Sequence, residues 1–232
     1  SQHWSSTSGG SGGYGVPSLT DNAYFDANSG FTASSNTVTV NVATASCKDM
    51  DWTGAPNFPV FATSSSNNIL SINGSLTLIP NMSWNFNGKI YFESSSAGQT
   101  ITTAGQTFLN NIYFNKAGGG WILQDALEVP NSYIYHNYGS LNTNGKPVKC
   151  YYYYSTTTNA RRLNLSIAAH LLTLTLTSVP YPPNVINMAT FSIKSNTPIN
   201  TLNSKKINPS VLKPDDLKLF INALQQKKKK NV

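Results

Sequence analysis

The sequence predicts an all-β fold: a right-handed parallel β-helix, or solenoid, with a short C-terminal amphipathic helix, and a β-sandwich as the alternative. Three observations point there. Short strand-like runs follow one another with few interruptions after residue 36, glycine turns separate them at short intervals, and one strand–turn–strand phrase recurs. Ile101-Thr102-Thr103-Ala104-Gly105-Gln106-Thr107-Phe108 is echoed by Leu141-Asn142-Thr143-Asn144-Gly145-Lys146-Pro147-Val148. Each has an apolar residue, a Thr two places on, a small residue before Gly, a long polar residue and a second apolar position. Asn85-Phe86-Asn87-Gly88-Lys89-Ile90 is a looser copy. Two coils of about twenty residues would bring the same side chains back to the same corner. Hairpins built on Asn-Gly turns would instead give the sandwich.

The elements follow in order. Residues 1–30 read as a Gly/Ser-rich N-terminal cap in which Trp4, Tyr14 and Phe25 supply apolar anchors. Residues 31–194 read as the repetitive all-β domain. Thr37-Val38-Thr39-Val40-Asn41-Val42 alternates with the period of a half-buried strand. Similar runs recur at 69–72, 76–79, 89–92, 107–114, 121–123, 132–135, 148–154 and 170–177. Asn73-Gly74, Asn87-Gly88, Ala104-Gly105, Gly118 to Gly120 and Asn144-Gly145 supply the turn residues between them. Residues 195–232 read as a basic C-terminal segment with a helix at about 214–227. There Leu217, Phe220, Ile221 and Leu224 fall on one helical face, Pro214 opens the first turn, and Asp215, Asp216 and Lys227 to Lys230 match the helix dipole.

Charge narrows the function classes. The formal net charge is +7, yet residues 1–192 carry five Lys and two Arg against five Asp and two Glu, so the excess lies wholly in the tail. A neutral body lacks the basic, aromatic-interleaved stripe of a specific nucleic-acid surface. Cys47 and Cys150 are the only cysteines, too few for a disulfide-built fold; they read as one disulfide or as two buried thiols. No run of 18 apolar residues is present, so no transmembrane segment is expected. The chain opens at Ser1 with no apolar leader, which reads as a processed secretory protein or a piece of a longer one.

Two constellations carry candidate chemistry. In Cys47-Lys48-Asp49-Met50-Asp51-Trp52, a strand would place Cys47, Asp49 and Asp51 on one face with the carboxylates roughly 7 Å apart. That separation suits a glycosidase pair or, with backbone carbonyls, a Ca²⁺ site, against the simpler reading of an outward polar face. In Tyr151-Tyr152-Tyr153-Tyr154, alternation sends Tyr151 and Tyr153 to one face and Tyr152 and Tyr154 to the other. Tyr151 and Tyr153, with Tyr133 and Tyr135 from a neighbouring strand, are the candidate glycan contacts, because an aromatic face stacks on a sugar ring while its hydroxyl hydrogen-bonds. The competing reading is that tyrosines simply stabilise sheets. His3, His136 and His170 have no metal-ligand spacing.

The opening His3-Trp4-Ser5, the Ser8 to Gly15 run, Val16-Pro17, Asp21 and Phe25-Asp26 resemble β-solenoid repeats of bacterial surface and autotransporter-like adhesins and of related phage structural proteins. Trp121 to Leu127 and Gly139 to Lys146 resemble the stacked coils of the same chains. The resemblance covers residues 1–166, brings no catalytic residues, and does not extend to residues 195–232. It implies a non-enzymatic extracellular, cell-surface or virion module. Its partners would be surface glycans or other copies in a homo-oligomer or larger assembly, without a cofactor. The rival reading is a polysaccharide-degrading β-helix lyase or hydrolase that uses Asp49 and Asp51.

Overall fold

The computed structural model describes residues 3–155, 157–167 and 170–176. The expected helix at about 214–227 and the basic segment lie outside the described residues. The first coil runs through β1 (Ala23–Tyr24), β2 (Thr37–Val40) and β3 (Thr44–Cys47), and the second through β4 (Met50–Asp51), β5 (Val60–Thr63) and β6 (Ile69–Ile72). The third comprises β7 (Leu76–Thr77), β8 (Ser83–Asn85) and β9 (Lys89–Phe92). In the fourth, β10 (Gln99–Thr102) and β11 (Ile112–Phe114) flank a single bridge from Thr107 to Glu128. The fifth holds β12 (Gly120–Leu123) and β13 (Leu127–His136), and the sixth β14 (Gly139–Asn142) and β15 (Val148–Tyr154); the two long strands each turn from one face to the next. β16 (Arg161–Ile167) then extends the first face, and β17 (His170–Leu176) pairs back on it antiparallel.

The chain is therefore a three-faced parallel β-solenoid of about six coils. One face orders its strands β1-β4-β7-β10-β12-β14-β16-β17, another β2-β5-β8, and the third β3-β6-β9-β11-β13-β15. Pairing between coils is parallel from β1 to β16, so the Asn-Gly turns make corners and the sandwich alternative falls. Coils shorten along the axis, from 27 residues between the partners Ala23 and Met50 to 20 between Trp121 and Leu141. No helix among the described residues is long and apolar enough to cross a membrane.

The core is a set of columns, because parallel pairing sets like positions of successive coils one above another. On the third face, Leu70, Ile90, Ile112 and Ile134 stack in register, and beside them Ile72, Phe92, Phe114 and His136. All eight are buried, His136 included. Trp52, Phe61, Trp84 and Phe108 form a second aromatic line, with successive centroids 5.7, 5.0 and 5.2 Å apart. Each fully buried apolar side chain contributes about 1.5–3 kcal/mol by leaving water. Trp4 and Phe31 pack on Phe25, which stacks on Trp52 at 3.9 Å, so residues of the N-terminal segment sit against the start of this line.

The repeated phrase marks one corner. Ala104 and Gly105 have φ of 52° and 80°, and Asn144 and Gly145 have 51° and 72°, so both copies make the same left-handed turn out of the first face. Gly is favoured there because it pays no Cβ penalty. Thr103 and Thr143, both buried, precede the two turns. The looser copy is a different corner: Gly88 connects β8 to β9, and a Cβ there would meet the Phe86 ring at 2.5 Å.

Candidate functional site: an outer tyrosine column

Side chains alternate across each strand, so the residues between the two buried columns of the third face point outward. Register places Ser46, Ser71, Tyr91, Tyr113, Tyr135 and Tyr154 in one outer line. Its four tyrosines lie ring on ring, at 4.4 Å and 7° for Tyr91–Tyr113, 4.6 Å and 5° for Tyr113–Tyr135, and 5.2 Å and 11° for Tyr135–Tyr154. That separation is the inter-strand spacing of a sheet, so the backbone ladder itself sets the stacking. Each ring is half-buried. Burial and then the neighbouring Tyr113 raise the phenol pKa of both Tyr91 and Tyr135, so these groups remain protonated hydrogen-bond donors.

Polar lines run on both sides of the column. Ser71 Oγ donates to Glu93 Oε2 at 2.7 Å, Asn115 Nδ2 donates to Glu93 Oε1 at 3.4 Å, and Asn137 Nδ2 donates to Asn115 Oδ1 at 3.1 Å. Glu93, Asn115 and Asn137 thus join three successive coils immediately after the tyrosine strands. On the other side Lys89, Asn111 and Tyr133 immediately precede Ile90, Ile112 and Ile134, which pair in register. Asn111 Nδ2 reaches the Tyr113 hydroxyl at 3.4 Å, and Asn111 Oδ1 accepts the Tyr133 backbone N–H at 3.1 Å.

Tyr133 and Tyr135 stand on this outer face, with ring centroids 6.0 Å apart and tilted by 64°. Tyr133 also lies 5.8 Å from Tyr151 and 5.5 Å from Tyr154. Tyr151 is 51% exposed. Tyr153 corrects the expectation of a shared outward face, because it points inward and stacks in register on Ile134. Its hydroxyl lies 2.5 Å from His136 Nδ1. The cause is a corner: both long strands turn there from one face to the next, and the register slips between the Val129–Cys150 and Tyr133–Tyr152 pairs, so alternation is broken between Cys150 and Tyr153 and both face the core.

The His136–Tyr153 pair lies in the interior between the fifth and sixth coils. His136 Nε2 lies 3.2 Å from the Gly139 carbonyl, and burial, aided by the Arg161 charge, brings the imidazole down to about 4. Burial pushes the Tyr153 phenol well up. Arg161, buried itself, donates to the carbonyls of Ser155, Thr157 and Asn159, the last at 2.7 Å.

Asp49 and Asp51 sit at corners. Asp49 Oδ1 accepts the Ser75 N–H of the next coil at 2.7 Å, and a Cβ on Gly74 would come within 2.0 Å of that oxygen. Asp51 Oδ1 accepts the Thr53 N–H at 2.8 Å in a local turn. Cys47 does not share their face: β3 ends there, the corner resets the alternation, and the thiol is buried and pushed up to about 12. Cys150 is also buried and free, pushed up to about 11. Among the described residues no three His, Cys, Asp or Glu side chains gather as a metal site.

Sequence reading missed Tyr91, Tyr113 and their polar flanks, although the chain carries the signal. Ile90-Tyr91-Phe92, Ile112-Tyr113-Phe114 and Ile134-Tyr135-His136 repeat every 22 residues in the in–out–in pattern of one strand. It missed Asp125 as well, whose carboxylate takes the N–H and hydroxyl of Thr103, at 2.8 and 3.0 Å, and the N–H of Ala104. No family model, curated protein or solved structure matched the chain in comparison, and the resemblance to adhesin and phage repeats stands as a proposal.

Proposed function

We propose that this chain is a non-enzymatic structural or adhesive module of an extracellular, cell-surface or virion setting, which presents a glycan-contacting face on a stiff solenoid. The observation that carries the reading is the outer tyrosine column with its amide and carboxylate lines. Half-buried phenols beside hydrogen-bonding amides combine the apolar and polar contacts that a sugar needs. In an assembly of several copies, weak contacts of this kind multiply, since linked sites raise effective concentration. The enzyme reading gains no support at its named residues, because Asp49 and Asp51 each hold a backbone N–H at a corner.

A glycan array tests the proposal. The full chain is expected to retain a defined set of glycans and to lose most of that binding as the Tyr133→Ala/Tyr151→Ala double variant, while Tyr24→Ala, at an exposed tyrosine of the first face, leaves it unchanged. A chain that binds no glycan, or a double variant that binds as well as the parent, removes the proposal.

A further inference from the structure

The tyrosine column differs from an ordinary aromatic platform in one respect. Tyr113 has a ring against each of its faces, 4.4 and 4.6 Å away at nearly parallel angles, and Tyr135 lies between Tyr113 and Tyr154 in the same way. No sugar ring fits between planes that close, so the inner rungs cannot offer their faces. What they offer outward is ring edges and phenolic tips, one set per coil. We infer that the column is a rail for a linear, uncharged, β-linked glycan strand lying along the solenoid axis and held by phenol and amide hydrogen bonds. This rests on the glycan-contact reading above and names its ligand class and geometry.

Three features favour that occupant. The rungs repeat at the coil spacing, and an extended β-linked pyranose strand advances by about one ring per coil, so one sugar residue would face each tyrosine. The flanking lines place amides at matching heights, Asn111 beside Tyr113 on one side and Asn115 and Asn137 along the other. The charges in these lines, Lys89 and Glu93, bracket Tyr91 in the same coil and oppose each other, which disfavours a polyanion or a polycation.

The test is binding of the full chain to unbranched β-1,4-linked glucose and N-acetylglucosamine oligomers, from dimer to hexamer, by isothermal titration. Affinity is expected to climb with each added sugar up to the tetramer, which matches the four rungs, and to level off beyond. Tyr113→Phe and Tyr135→Phe keep the stacked rings and remove one hydroxyl each; each is expected to weaken tetramer binding about 5-fold, the scale of one net hydrogen bond, with an unchanged melting temperature. Affinity independent of length, or Tyr→Phe variants that bind like the parent while Tyr133→Ala and Tyr151→Ala abolish binding, overturns the rail and leaves the broader proposal standing. A chain that prefers charged oligomers also overturns it. A chain that binds no glycan at all overturns both.

Discussion

Strands β6, β9, β11 and β13 carry two columns one residue apart, and the contrast between them separates what builds the solenoid from what it displays. Inward stand Ile72, Phe92, Phe114 and His136; outward stand Ser71, Tyr91, Tyr113 and Tyr135. Both columns stack at the same backbone spacing. The inner Phe92–Phe114 pair is fully buried at 5.3 Å, whereas the outer rings are half-buried and nearly parallel at 4.4 to 5.2 Å. Ring stacking on both the buried and the solvent side of one sheet teaches that stacking alone does not identify a core. The inner column draws its stabilisation from removal of apolar area, the outer one mainly from ring–ring contact.

The largest expected effect breaks the inner column. Phe114→Ala should cost about 3–5 kcal/mol, because the ring is fully buried and its neighbours Phe92 and Trp121 cannot close the space. Tyr113→Ala, on the same strand, should cost about 1–2 kcal/mol, the worth of two ring stacks. Urea midpoints of the two variants measure the difference. Equal losses would show that the outer column is as structural as the core and would weaken its assignment as a ligand surface.

The second expected effect is on pH dependence and comes from the one imidazole in the inner column. An unfolded chain takes up the His136 proton near 6.5, while the folded chain takes it up only near 4. Acidification therefore favours the unfolded state across that window, and the stability held fully above pH 6.5 is lost as pH falls towards 4. The loss is on the order of 3 kcal/mol for a shift of this size. His136→Phe, which extends the Phe92–Phe114 column, should flatten the curve of melting temperature against pH over that interval. An unchanged slope would assign the acid sensitivity to the carboxylates instead.

Much of this contrast was legible in the chain. The Gly105 and Gly145 phrases identify a recurring corner because positive φ is written in residue type, and strict alternation in 37–42 identifies a strand. The third copy misled because Asn87-Gly88 uses a close approach rather than a left-handed turn, and residue type does not distinguish the two. Tyr153 misled because the strand turns a corner between Cys150 and Tyr153 and alternation does not carry across it, and the corner shows only in how Cys150 and Tyr152 meet Val129 and Tyr133 in the neighbouring coil. The tyrosine column was written plainly at a 22-residue interval, but the strand boundaries and register were needed to show that Tyr91, Tyr113 and Tyr135 meet. Which carboxylate serves which corner, as Asp125 does for Thr103, depends on contacts between coils that local sequence does not carry.

A hydroxyl can be deleted on each side of the sheet to sharpen the comparison. Tyr153→Phe removes the partner of a buried imidazole nitrogen and should cost about 1–2 kcal/mol, since an unpaired buried polar atom has no water to replace the bond. Tyr113→Phe should change stability by less than about 0.5 kcal/mol, because its hydroxyl stands on the outer face and the ring stack is kept. Chemical denaturation reads both values, and a large loss at Tyr113 would mean that the outer hydroxyls are part of the fold.

The smallest effect is expected at a corner, away from both columns. Asp51 accepts the Thr53 N–H through one carboxylate oxygen, and an amide oxygen can accept the same bond. Asp51→Asn should therefore fall within about 0.5 kcal/mol of the parent, whereas Asp51→Ala should lose about 0.5–1 kcal/mol with the turn bond. If the charge served a catalytic or metal-binding role, the amide would abolish a glycan cleavage or a Ca²⁺-dependent rise in melting temperature that the parent displayed. If Asp51 is a corner residue, Asn and Asp behave alike and only Ala differs. Asp49→Asn extends the same test to the next coil, where the Ser75 N–H takes the place of Thr53. A carboxylate that an amide replaces without consequence at both positions is acting through an oxygen's position, and then the corners belong with the inner column as scaffold.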